Sequence, residues 1–167
     1  TLSTESPGAG IFRSTDNGDS WQVINSGLTS TNIVGLHCTS RGTLIAATHL
    51  GRVFRSTNIG QSWAEVVSFN ARLAYFASKG DTIFASDPFW CTGIYRSING
   101  GQTWTNVRSG CAGALTVTPS GSVFTEVSFS ERVIRSTNWG LTWEPVSTGL
   151  PTTGYTMGIT STLSGAI

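Results

Sequence analysis

The sequence predicts an all-β fold assembled from about four copies of one four-stranded unit. Three observations carry that expectation: a ten-residue segment that occurs four times, strand-like runs between the copies, and a composition rich in turn formers. The segment reads "FRSTDNGDSW" at 12–21, "FRSTNIGQSW" at 54–63, "YRSINGGQTW" at 95–104 and "IRSTNWGLTW" at 134–143. Its closing tryptophans, Trp21, Trp63, Trp104 and Trp143, stand 42, 41 and 39 residues apart. Four-stranded sheet repeats and some helical repeats share that period, so strand content decides between them.

One period contains the runs "IVGLHCT" (33–39), "TLIAAT" (43–48), "RVFRST" (52–57) and "SWAEVVSF" (62–69). Each is short, β-branched or aromatic, and bounded by Gly, Asn or Ser, which reads as strand and turn. The third period runs "RLAYFAS", "TIFASD", "GIYRS", "TWTNVRS", and the fourth "ALTVTP", "SVFTEVS", "RVIRS", "TWEPVS". Four strands per period, a to d, make a blade of a β-propeller, with the repeated segment at the turn between c and d. At 167 residues the whole chain, 1–167, is expected to be one such domain.

Within the segment the common pattern is S-x-[DN]-x-G-x-[ST]-W. It places Ser14, Asp16, Gly18 and Trp21 in the first copy and Ser56, Asn58, Gly60 and Trp63 in the second. Ser97, Asn99, Gly101 and Trp104 follow in the third, and Ser136, Asn138, Gly140 and Trp143 in the fourth. A short Asp or Asn side chain accepts bonds from N–H groups just ahead of it and stabilises a tight reversal. The glycine two residues on adopts a positive φ without steric cost. The tryptophan is then expected to bury its ring between neighbouring blades, worth about 2–3 kcal/mol. A calcium loop is the competing reading of D-x-[DN]-x-[DN]-G, but "DNGDSW" lacks an acid ladder and a bidentate Glu, and the other copies carry neutral Asn58, Asn99 and Asn138. No metal site and no cofactor are expected.

The pattern resembles the Asp-box, or BNR repeat, found in sialidases, sortilin-type receptors, xyloglucan-degrading glycosidases and a photosystem assembly factor. The resemblance covers all four periods and implies a β-propeller. Those relatives do different work, so the likeness implies a fold and leaves function open.

The termini suggest how the ring closes. Superposing Phe12 on Phe54 starts the chain at strand b, and the tail "MGITSTLSGAI" (157–167) aligns with the strand a segment "VGLHCTSRGTL" (34–44). The tail is therefore expected to pair with the N-terminal blade and close about four blades. Its alternatives are completion of the next molecule, giving a strand-exchanged polymer, and a piece of a seven-bladed parent.

Charge and acids bound the function. Only 11% of residues are charged and the formal net charge is +1, which gives no footprint for nucleic acid. No run is apolar enough to insert in a membrane. A glycosidase needs two carboxylates flanking a sugar, and among the scarce acids Asp87, Glu126 and Glu131 are the nearest to a common face. Nothing pairs them, and the regularly repeated Arg13, Arg55, Arg96 and Arg135 read as scaffold, so no catalytic residue is assigned. A glycosidase-like propeller remains the alternative to a binding or assembly role.

Of the three cysteines, Cys38 reads as a small buried thiol. Cys91, in the long b–c loop "DPFWCTG", and Cys111, in the d-to-a crossing "RSGCAG", fall on the same face and are expected to bridge adjacent blades. That pair, with few lysines and many Ser, Thr and Asn, points to a secreted protein, extracellular or periplasmic. The same face collects the non-repeated candidates for binding: His49, Phe89 and Trp90, Phe129, and Tyr155. Variable loops on one face of a repeat scaffold are where ligands usually sit, here a glycan or a protein. Phe89 and Trp90 are read either as exposed contact rings or as a small cluster over the disulfide. Trp139, inside the fourth turn, is expected to be exposed on the opposite face.

Overall fold

The computed structural model of the chain describes residues 8–127, 132–150 and 158–167. Its described residues form strands and turns with no helix. β1 (Phe12–Arg13) and β2 (Gln22–Val23) make a two-stranded sheet. Three four-stranded antiparallel sheets follow, each a simple meander. The first holds β3 (Ile33–Cys38), β4 (Leu44–Thr48), β5 (Arg52–Ser56) and β6 (Ala64–Ser68). The second holds β7 (Tyr75–Lys79), β8 (Thr82–Asp87), β9 (Gly93–Ser97) and β10 (Thr105–Arg108). The third holds β11 (Ala112–Val117), β12 (Val123–Val127), β13 (Arg132–Ser136) and β14 (Glu144–Pro145). These are the strands a to d read from the sequence.

Successive sheets stack face to face, with the first strands adjacent: β3 lies by β7, and β7 by β11. Side chains alternate along a strand, so each sheet has one face toward its predecessor and one toward its successor. Ile45, Ala47 and Val53 meet Ile83 and Ala85 of the next sheet. Phe84 and Ile94 in turn meet Leu115, Val123 and Ile134. Strands β4 and β8 are buried along almost their whole length because both of their faces are covered.

The repeated turn owes its shape to one hydrogen-bond set. Ser56 Oγ accepts from the Gly60 N–H at 2.9 Å and donates to Asn58 Oδ1, which accepts from the Ser62 N–H at 3.0 Å. Ser97, Asn99, Gly101 and Thr103 repeat it, as do Ser136, Asn138, Gly140 and Thr142. The first copy differs in one proton: Ser20 Oγ donates to the Asp16 carboxylate, whereas Asn58 Nδ2 donates to Ser62 Oγ. The Ser20 hydroxyl and N–H, with the Ser14 hydroxyl, hold the Asp16 carboxyl down at about 2. A depressed carboxyl steadies the native turn above its unfolded value and loses that contribution as pH falls through the folded one. By carboxyl-detected NMR, Asp16 should titrate near 2 against the usual 3.8, while the three asparagine turns keep their amide shifts over the same range. A midpoint near 3.8 would mean the turn does not hold the carboxylate.

The repeated arginines bind one sheet to the next. Arg13 Nη1 donates to the Ile59 carbonyl at 2.7 Å, Arg55 Nε to Gly100 at 2.7 Å and Arg96 Nη1 to Trp139 at 2.5 Å. Each acceptor is the fourth residue of the following sheet's turn, in the left-handed region at φ 58°, 65° and 60°. Arg135 instead pairs with Glu144 of its own sheet.

Three of the four tryptophans behave as the sequence suggests. Trp63 is 5% exposed and donates its Nε1–H to the Ile24 carbonyl at 2.7 Å. Trp104 and Trp143 pack on the cores toward the preceding sheets. Trp21 departs from expectation at 63% exposed, because no sheet precedes β1–β2 among the described residues. Cys38 is likewise exposed rather than buried. It shares with Leu36 the face of β3 turned toward the β1–β2 sheet, which has no described inner strands to cover it.

The expected partner of the tail, strand b of the first blade, falls in residues 1–7 and lies outside the described residues. No ladder joins residues 158–167 to β1 or β2, and no sheet is closed among the described residues. The tail lies on β11, where Ser161 Oγ sits 2.9 Å from Thr116 Oγ1 and donates to the Val117 carbonyl at 3.4 Å.

Candidate functional site

The b–c loops and d-to-a crossings meet on one face. Asp87, at the end of β8 and fully buried, organises the loop that follows. Its Oδ1 accepts from the N–H groups of Phe89 and Trp90, both at 2.9 Å, and its Oδ2 from the Thr92 hydroxyl at 2.8 Å. Burial pushes this carboxyl up, but the bonds from Trp90, Thr92, Phe89 and the Arg72 backbone outweigh it and leave it below the usual range. A carboxylate so occupied builds a loop. It is not poised to give up or take a proton.

Cys91 follows at φ 56° and forms a disulfide with Cys111, tying the loop to the start of the next sheet. Between these anchors Phe89 and Trp90 stand 53% and 43% exposed, so they do not fold over the disulfide as a closed cluster. Arg72, from the crossing between β6 and β7, lays its guanidinium over the Phe89 ring at 4.0 Å. Such a contact is worth about 0.5–1 kcal/mol at a half-exposed site and holds both groups in place. Half-buried His49 meets Trp90 edge-on at 6.3 Å between centroids. Two aromatic rings, a guanidinium and an imidazole thus share one rigid shelf.

Of the predicted binding residues, the structure brings His49, Phe89 and Trp90 together. Phe129 and Tyr155 lie outside the described residues, as does Glu131. Trp139 is 37% exposed, with its ring against Gly121 of its own sheet. Arg72 was not legible as a site residue, since it belongs to no repeated position. Among the described residues no group of three metal-ligating side chains occurs, and no helix is long and apolar enough to cross a membrane.

Glu126 occupies a second place of interest. It is 9% exposed on β12, and burial pushes its carboxyl up against the opposing bonds from the Gly158 and Ala114 N–H groups. Its Oε1 is buried without a hydrogen-bond partner. It lines a cleft of about 470 Å³ between the outward face of the last sheet and the tail, with Phe124, Val133 and Val146.

No family model matches the chain, and no curated protein does. Solved structures do. An ancestral GH74 enzyme superposes with a TM-score of 0.68 at 23% identity, covering 86% of this chain and 22% of its own. The GH74 xyloglucanase from Xanthomonas campestris gives 0.66 at 18%, covering 85% and 28%. YCF48 bound to a D1 peptide gives 0.60 at 14%, covering 71% and 42%. The chain thus spans well under half the length of these proteins, and at such identities the likeness speaks to fold. Successive meander sheets joined through their faces, with these neighbours, make this an all-β chain of β-propeller fold.

Proposed function

We propose that this chain is a non-catalytic binding propeller of the Asp-box type, which captures a glycan or an extended peptide on its b–c face. The observation that carries the reading is the exposed Phe89–Trp90 pair, held by the Asp87 bonds and the disulfide and flanked by Arg72. A rigid aromatic shelf stacks on a sugar ring or seats a side chain with little ordering cost, and Arg72 adds a cation for an acidic group on the ligand. Both ligand classes appear among the fold neighbours, as a xyloglucanase and a peptide complex. The disulfide supports an extracellular or periplasmic setting.

Glycan and peptide arrays read the ligand class. For the best ligand so found, Trp90→Ala should weaken binding about thirtyfold, the loss typical of a central aromatic anchor. Unchanged affinity would place binding elsewhere. A glycosidase-like reading is favoured by Glu126 alone, a carboxyl that burial pushes up in a cleft, the direction a general acid requires. It would demand hydrolysis of a glycan that Glu126→Gln abolishes.

A further inference from the structure

We propose that the ligand of the b–c shelf is a polysaccharide whose sugars carry carboxylates, a uronic-acid glycan held by its ring on Trp90 and by its acid on Arg72. This rests on the shelf being the binding surface, and it names what that surface selects.

Arg72 is set to meet an anion. Its neighbours Ala71 and Leu73 are fully buried, and its own N–H donates to the Asp87 carboxylate, so the side chain leaves from a fixed backbone. The guanidinium lies over the Phe89 ring at 4.0 Å. That contact uses the face of the group and none of its five N–H donors, which lie in its plane. Arg72 Nε is buried and has no hydrogen-bond partner. The acids that could answer it are spent. Asp87 accepts from Phe89, Trp90 and Thr92 as well as from the Arg72 backbone, and Glu65 pairs with Arg52 at 2.9 Å. Among the described residues no acid pairs with Arg72. A planar fork held in place is matched by a carboxylate, which accepts two of its N–H bonds side by side.

The backbone of the loop decides between sugar and peptide. An extended peptide draws its affinity from pairing main chain with main chain. Here the N–H groups of Phe89 and Trp90 are turned inward to Asp87, and the Thr92 carbonyl accepts from Asn106 Nδ2 at 3.0 Å. The loop thus offers rings and a cation, with its main chain already engaged at these positions. A pyranose needs no more. Its C–H face stacks on an open aromatic ring, and a uronic acid bears its carboxylate one bond from the same sugar ring. One sugar unit can therefore make both contacts.

Isothermal titration calorimetry of the full chain tests this with hexagalacturonate and hexamannuronate, the methyl ester of each, a neutral glucan hexamer and hexaglutamate. At least one uronate should bind, about tenfold or more tighter than its ester, the worth of one charged hydrogen bond. Hexaglutamate, which has the charge without the sugar ring, should bind at least about tenfold more weakly than that uronate. Arg72→Gln should bring the acid-to-ester ratio close to one, and Arg72→Lys, which keeps the charge and loses the fork, should restore only part of it. Acid and ester bound alike by the parent chain, hexaglutamate bound as tightly as the uronates, no uronate bound, or a ratio that survives Arg72→Gln in a folded variant would each overturn the proposal. The first three need no variant. The shelf reading fails by a separate sign, an affinity for the bound ligand that Trp90→Ala leaves unchanged.

Discussion

Phe84→Ala should lower the stability of the chain by about 3–5 kcal/mol. The ring is fully buried between the second and third four-stranded sheets, against Ala77, Ile94, Leu115 and Val123. Gly140 of the following turn also sits on it, at 3.0 Å from the ring for a built Cβ, so truncation empties space that backbone borders on one side. Collapse is hard there, and the cavity cost is added to the lost transfer energy. For a chain of this size the melting temperature should fall by roughly 6–20 °C. Because each sheet touches only its neighbours, amide exchange should rise most in β11–β13 and least in β3–β5. A loss below about 1 kcal/mol would mean that the junction is not packed around this ring.

Removing the disulfide should cost about 3 kcal/mol, the loop-closure entropy released when a link spanning 20 residues is cut. Cys91→Ala with Cys111→Ala should show it in urea denaturation, and reductant should bring the parent chain to the same midpoint while leaving the variant unmoved. The link joins the loop of one sheet to the first strand of the next, so its loss also frees the segment that carries Phe89 and Trp90. The Asp87 bonds to Phe89, Trp90 and Thr92 remain. The shelf should therefore weaken in ligand binding by less than the Trp90→Ala change. Equal denaturation midpoints for parent and double variant under oxidising conditions would deny the bridge its role.

The turns were legible because their bonds are local. Ser, Asx and the closing hydroxyl lie two and four residues apart, and such spacing is visible in any one copy. The arginine links were not. Their acceptors are backbone carbonyls 43 to 46 residues away, which no side-chain pattern records. The repeat itself told that Arg13, Arg55 and Arg96 were structural without telling what they held. The binding shelf was half legible: Phe89, Trp90 and His49 stood out by falling outside the repeat, whereas Arg72 had no distinguishing position and Asp87 looked like a scarce acid before it proved a loop anchor. Trp21 and Cys38 were misread for one shared reason. Each was placed by analogy with interior copies, and a residue at the end of a stack has the same sequence context but one neighbour fewer.

The arginine links have a further consequence for how such chains vary. Since the acceptor is a main-chain oxygen, the residue that offers it contributes no side-chain chemistry, and Ile59, Gly100 and Trp139 serve alike. On the acceptor side, one sheet offers the next a main-chain atom that a change of side chain does not remove. The units are thus interchangeable parts with a common connector, and a unit copied to a new place in the gene would arrive with its coupling intact.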